Sequence, residues 1–384
     1  MQPAVFDEVR AALESSGPSA AADQLCAALR ESREYHLLFY ALLMKKRLEL
    51  GASPIPTGPA VELPAALHAP YEEGIRAAAR EVGTLFLGTR ELGQAWSYFR
   101  MIDEPGPVKE ALEAYEPGED DDIQPIVQLA FYEALAPRKG FDLLLSRYGT
   151  CSAITTMSSA ELPFGDDVKQ HCIKALVRRL TDDLKASLSN AIAEKEGTPP
   201  PDGTVAQLIA GRDWLFGEDS YHLDTSHLSA VVQMAMNLPP CEELEMARGL
   251  CAYGARLSGR FLGQDDLPFD KGFADYGVYL GILAGDGVDE GVAHFRRKLE
   301  EADPEEIGTY PAEVLVNLLL KLGRGQEALA AARKWLGNTE GRPLSCPSVN
   351  ELCQKLGDYG ALAETARKQG DPVHWLAGLI AARG

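Results

Sequence analysis

The segment YHLDTSHLSA, Tyr221–Ala230, sets His222, Asp224 and His227 within six residues. Imidazole and carboxylate groups are ligands for a divalent metal such as zinc, and a site with one open position activates a water. Such a centre implies an all-α metal-dependent enzyme, a hydrolase or lyase acting on a small polar substrate. A histidine in the first turn of a helix has its cationic form disfavoured by the helix dipole, leaving the neutral imidazole that a metal or a general base needs. The same spacing has a second, plainer reading. In HLSAVVQMAMNL the residues Leu228, Val231, Val232, Ala235 and Leu238 share one helical face. Asp224 then stands where an N-cap accepts the N–H of His227, for a helix beginning at Thr225, and the histidines are incidental.

A metal site there needs a further ligand from a distant segment. His171 is one candidate, since DDVKQHC places it four residues after Asp167, at metal-ligand spacing on a helix. Glu72 and Glu73 in LHAPYEEG are others, following His68 by four and five residues, with Pro70 expected to open a helix between them. Arg100 in AWSYFRMIDE, beside Trp96, Tyr98 and Phe99, is the candidate anion-binding group. Cys151 follows Gly149 in SRYGTCSAITT; a thiol at the start of a new helix has a lowered pKa and serves as a nucleophile. The enzyme reading therefore rests on Arg100, Glu72 and Cys151 for catalysis, and on His222, Asp224, His227 and His171 for the metal. The zinc-protease HExxH, the GxSxG elbow, the phosphate loop and the calcium loop are all absent from the sequence. EPGEDDD (116–122) collects five carboxylates, but just ahead of IQPIVQLAFYEAL they are what a helix N-terminus favours. GDGVDEG (285–291) has no strand before it and reads as a turn.

The elements that must carry these groups are helices. In FDEVRAALESS the apolar residues Phe6, Val9, Ala12 and Leu13 recur at spacings of three and four. The same period runs through Tyr35–Leu50, Ile75–Leu87, Val108–Tyr115, Ile126–Leu135 and Val168–Ala193. Breakers separate them: GASPIPTGP, EPGP, EPGEDDD, ELPFGD and EGTPPPDGT. The only candidate strand is the short CSAITTM (151–157). Val168–Glu196 has no glycine or proline and is long enough to act as a spine until three prolines end it.

The last third repeats a pattern. DYGVYLGILAGDGVDEGVAHFRRKLEEADPEE (275–306) reads as helix, tight glycine turn, helix, Asp-Pro; EVLVNLLLKLGRGQEALAAARKWLG (313–337) and ELCQKLGDYGALAETARKQGD (351–371) follow the same plan less regularly. A small residue opens the second helix (Gly291, Ala328), Gly281 lies in the first helix, and Asp303-Pro304 closes the unit. On these features the last hundred or so residues resemble tetratricopeptide repeats, which implies stacked hairpins that share one core.

The chain has 384 residues, enough for more than one core. We expect residues 1–265 to form an irregular helical lobe with an internal boundary near 197–204, and residues 266–384 to form the repeat-like array. The fold class is all-α: stacked antiparallel helical hairpins, an α-solenoid in type. Acidic residues outnumber basic ones by 57 to 37, giving a net charge of −20. That balance argues against nucleic acid and anionic lipid as partners, because both are held by Lys and Arg. No stretch is long and apolar enough for a membrane span, and the start of the sequence lacks signal-peptide character. Seven scattered cysteines without a CxxC pair fit a reducing cytoplasm. The leading functional expectation is an interaction module whose acidic concave groove binds a basic peptide or protein segment, with the metal-dependent enzyme as its alternative.

Overall fold

Helix periodicity in the sequence becomes helix throughout the computed structural model, which describes residues 3–55, 63–159, 163–263, 265–302, 308–337 and 343–383. Eighteen α-helices and no strand are present among the described residues, and successive helices pack on one another. None of these helices is long and apolar enough to cross a membrane. The chain divides into two compact units, residues 1–149 with 162–168, and residues 150–161 with 169–384. This division falls upstream of both places where composition suggested a boundary.

The first unit is a run of antiparallel neighbours. α1 (Pro3–Glu31), bent at Gly17, packs on α2 (Tyr35–Glu49). α2 packs on α3 (Ala65–Gly88), α3 on α4 (Leu92–Met101), and α4 on α5 (Gly106–Glu113). Their shared core is aromatic: Tyr35 meets Phe86 edge-on at 5.1 Å, Phe39 lies 5.2 Å from Tyr98, and His36 Nδ1 is 2.7 Å from the Tyr98 hydroxyl. Pro70 does not open α3 as its position suggested. It lies in the second turn, where its ring removes the N–H that would otherwise bond to the Ala66 carbonyl. α6 (Gln124–Val127) continues into a single π-type turn, Gln128–Tyr132. Two of the EPGEDDD carboxylates are occupied locally: Asp121 accepts from the Gly118 N–H and the Tyr115 hydroxyl, and Asp122 from the Gln124 N–H, while Glu116 pairs with Lys139 at 2.8 Å.

α7 (Pro137–Ser159) is interrupted at Gly149, whose φ of 79° favours glycine. CSAITTM is therefore not a strand but the helical stretch after this break. Its β-branched residues are tolerated because Ala153 and Ile154 are buried, and packing outweighs strand propensity.

Most of α8 (Asp166–Glu196), the expected long helix, belongs to the second unit. α9 (Val205–Ile209) begins with a complete capping box, Thr204 and Gln207 satisfying each other's backbone N–H. α10 (Thr225–Ala235), α11 (Glu242–Gly254) and α12 (Phe273–Ala284) pack in succession, so the neighbour packing runs on through residue 265. Glu243, 4% exposed, ties α11 to α8 through Arg178 and, at 3.8 Å, Lys174. Burial alone would raise this carboxyl; its own backbone N–H, Cys241 and Arg178 together hold it below the usual carboxylate value.

α13 (Val288–Glu301) returns antiparallel to α12 across Gly285 and Gly287, both left-handed, with φ of 93° and 55°. The glycine turn read from GDGVDEG is thus required by backbone geometry. Asp275, 2% exposed, pins this hairpin: it accepts from the Lys271 N–H at 2.8 Å, from His294 Nε2 at 2.8 Å and from Lys298 Nζ at 2.5 Å. α14 (Tyr310–Lys321) and α15 (Gly325–Trp335), then α16 (Val349–Leu356) and α17 (Tyr359–Gln369), form two further hairpins, and α18 (Pro372–Ala381) packs on α17. The small residues expected at hairpin contacts are buried there: Gly281, Gly291 and Ala328. The leading helices begin at residues 273, 310 and 349, an uneven step. Asp303-Pro304 lies outside the described residues. α18 leaves Val373, Leu376 and Ile380 exposed.

Candidate functional site

Asp224 caps α10. Its Oδ1 accepts from the N–H groups of Ser226 and His227 at 2.8 and 3.2 Å and from the Ser226 hydroxyl at 2.6 Å. The Ser226 hydroxyl, and then the His227 N–H, hold this carboxyl below its ordinary value. Replacing Asp224 with alanine is expected to lose about 0.5–2 kcal/mol of stability, and Asp224→Ser to recover most of it, read from thermal or urea unfolding. A serine variant as unstable as the alanine variant would contradict a pure capping role.

His222 sits in the loop before the cap. Its backbone N–H donates to the Tyr253 hydroxyl at 2.8 Å, and its Nδ1 lies 3.2 Å from the same oxygen. Burial pushes the His222 pKa down from 6.5 and the Tyr253 pKa up to about 12. His222 is thus kept neutral on folding. As pH falls below about 6.5 the unfolded chain takes up this proton before the folded one, so stability is full above that pH and declines below it, levelling once the folded imidazole protonates. His222→Gln is expected to flatten the decline below about pH 6.5 in denaturation midpoints. An unchanged pH profile would remove His222 from the account.

His227 is half-buried at the start of α10. Among the described residues, no three His, Cys, Asp or Glu side chains gather as a metal-holding group. Glu72 is exposed on α3, and the neighbouring Glu73 pairs with Arg80 at 3.4 Å. Arg100, 69% exposed, lies 3.6 Å from Glu133, whose carboxylate also accepts the Trp96 indole N–H at 2.6 Å. Asp167 pairs with Arg138 at 2.6 Å. Cys151 is exposed just past the Gly149 break, so a helix does restart there. Arg100 and Glu72 belong to the first unit; Cys151, His171, His222, Asp224 and His227 belong to the second.

The second unit also holds a groove that these residue types did not announce. A cavity of about 910 Å³ is walled by α8, the 202–207 segment, α11 and α12. A second, of about 560 Å³, continues over α12 and the start of α13. The two share Arg248, Ala274 and Gly277 and so meet along one groove. Its lining includes small residues: Gly249 and Ala252 on α11, Ala274, Gly277 and Gly281 on α12. At these spacings they form a stripe on each helix, which lets another chain approach the backbone closely. Cys251, behind the stripe, is buried, and burial pushes its thiol up to about 12, so it acts as a small hydrophobe.

The groove's charge is predominantly acidic. Asp202, Glu242 and Glu245 line the larger chamber, and Asp286 and Glu290 the smaller. Against these five carboxylates stand Lys185 and Arg248, with His294 at the far end. Arg248 is already paired with Glu245 and Asp286, both at 2.8 Å. Thr181, also in the wall, is 6% exposed and its hydroxyl has no hydrogen-bond partner among the described residues. Only the small-residue spacing in EELEMARGLCAYGA, with Glu242 and Glu245 about a turn apart, signals the groove in the sequence. Compared with protein families, curated proteins and solved structures, the chain finds no match.

Proposed function

We propose that the second unit is a helical-repeat interaction module, similar in plan to tetratricopeptide repeats, that binds a basic peptide or protein segment in the groove over α11 and α12. One observation carries this reading: two adjoining chambers have small residues in their lining and five carboxylates against two Lys or Arg. Small residues admit a backbone or a slim side chain, and the carboxylates select Lys and Arg and disfavour acidic competitors. The stems of Lys and Arg also suit the apolar floor, since they lie along hydrophobic surface while the head stays at a polar rim. The net charge of −20 adds long-range attraction for a cationic partner. The seven free cysteines fit a reducing compartment such as the cytoplasm.

The test is a titration of a labelled (Ala-Arg)6 peptide, with (Ala-Glu)6 as control, followed by fluorescence anisotropy. Saturable binding of the basic peptide alone, weakened by salt, is the expected result. Equal binding of both peptides, or of neither, would contradict the reading. Stoichiometric zinc in the purified protein that is lost in His222→Gln would favour metal-assisted chemistry instead.

A further inference from the structure

The residue where the two chambers meet is a cation belonging to the chain itself. Arg248 projects from α11, and its Nη1 lies 2.9 and 2.8 Å from the two carboxylate oxygens of Glu245 and 2.8 Å from Asp286 Oδ2. Asp286 is presented by the left-handed turn between Gly285 and Gly287, so the guanidinium bridges α11 to the α12–α13 turn. Its Nη2 lies only 4.0 Å from where a side chain on Gly281 would begin. Arg248 therefore lies across the floor of the groove rather than along its rim.

We infer that Arg248 is an internal strap: its guanidinium fills, in the free protein, the place a partner's Lys or Arg takes between Glu245 and Asp286. This rests on the basic-segment reading of the groove. A basic segment that runs through both chambers must displace Arg248, and its own cation then inherits the two carboxylates. The exchange is close to neutral in charge, because one cation replaces another. It leaves the free groove with fewer unpaired carboxylates, and it makes affinity depend on how readily the strap is released. Side chains without a cation cannot compensate Glu245 and Asp286 once Arg248 leaves, so the strap also sharpens selection for Lys or Arg at that point.

The experiment compares Arg248→Met with Lys185→Met by titrating labelled (Ala-Arg)6 against the full chain. Both substitutions remove one positive charge from the groove lining and keep an apolar stem. General electrostatics therefore predicts equal gains, whereas a strap predicts a larger gain at Arg248. Pairs of this exposure correspond to roughly a twofold to fivefold change in affinity. We expect Arg248→Met to tighten binding about fivefold and Lys185→Met by less than about twofold. Arg248→Gln serves as a second variant, and circular dichroism melts confirm folding. Equal or weaker binding by both Arg248 variants, with the wild type still binding and still sensitive to loss of groove carboxylates, would overturn the strap and leave the groove reading standing. Failure of the wild type to bind the peptide would overturn both.

Discussion

Reversing the charge of Glu242 and Glu290 together, to lysine, is expected to weaken (Ala-Arg)6 binding by at least about fivefold near physiological salt. Each residue lines a different chamber, so the pair samples the whole groove. A rim contact between exposed charges is worth about 0.2–1 kcal/mol, and each reversal removes one attraction and adds one repulsion. Two reversals thus amount to about 1–4 kcal/mol, or roughly fivefold to several hundredfold. The loss should shrink as salt rises, because exposed charges are screened. Both residues lie in first helical turns, of α11 and α13, where a lysine also opposes the helix dipole. Melting curves must therefore accompany the titrations, and Glu242→Gln with Glu290→Gln should give an intermediate loss. Full affinity in the folded double-lysine variant would place the partner elsewhere.

The largest stability effect is expected at Leu318. Leu318→Ala should cost about 2–5 kcal/mol in urea or thermal unfolding of the full chain. The side chain is completely buried in α14, flanked by Leu315 and Leu319, also fully buried. A truncation there removes transfer energy and leaves a void that rigid neighbours cannot close. By contrast, breaking the Lys334–Glu300 pair, with both side chains about half exposed at 2.9 Å, should change the same midpoint little. A Leu318→Ala variant that melts with the wild type would mean the repeat-like hairpins do not share a continuous core.

Much of this architecture is legible in the sequence because helices announce themselves locally. The spacing of Leu228, Val231, Val232 and Ala235 marks a buried face, and Asp224 marks its start. Gly285 and Gly287 mark a turn that only left-handed backbone can make. Two readings fail where tertiary packing outweighs local preference. Ile154, Thr155 and Thr156 look like a strand but lie in a helix, and Pro70 sits within α3 rather than at its start. The groove is nearly silent in the sequence for a different reason. Its lining is rich in glycine and alanine, which carry no chemistry of their own, and its walls join Thr181 to His294 from five helices and two loops. Histidine and cysteine draw attention by type, yet His222 takes Tyr253 as partner and Cys251 is buried. Spacing identifies a helix face; it does not say which faces will turn toward one another.

Hydrogen–deuterium exchange of the full chain, with and without (Ala-Arg)6 at saturation, tests the basic-segment groove most directly. Slowed exchange is predicted in residues 203–207, in α11 and α12, and in the 285–291 turn, with α2 to α5 unchanged. Protection confined to other surfaces, such as the exposed apolar side of α18, or no protection at saturating peptide, would contradict it.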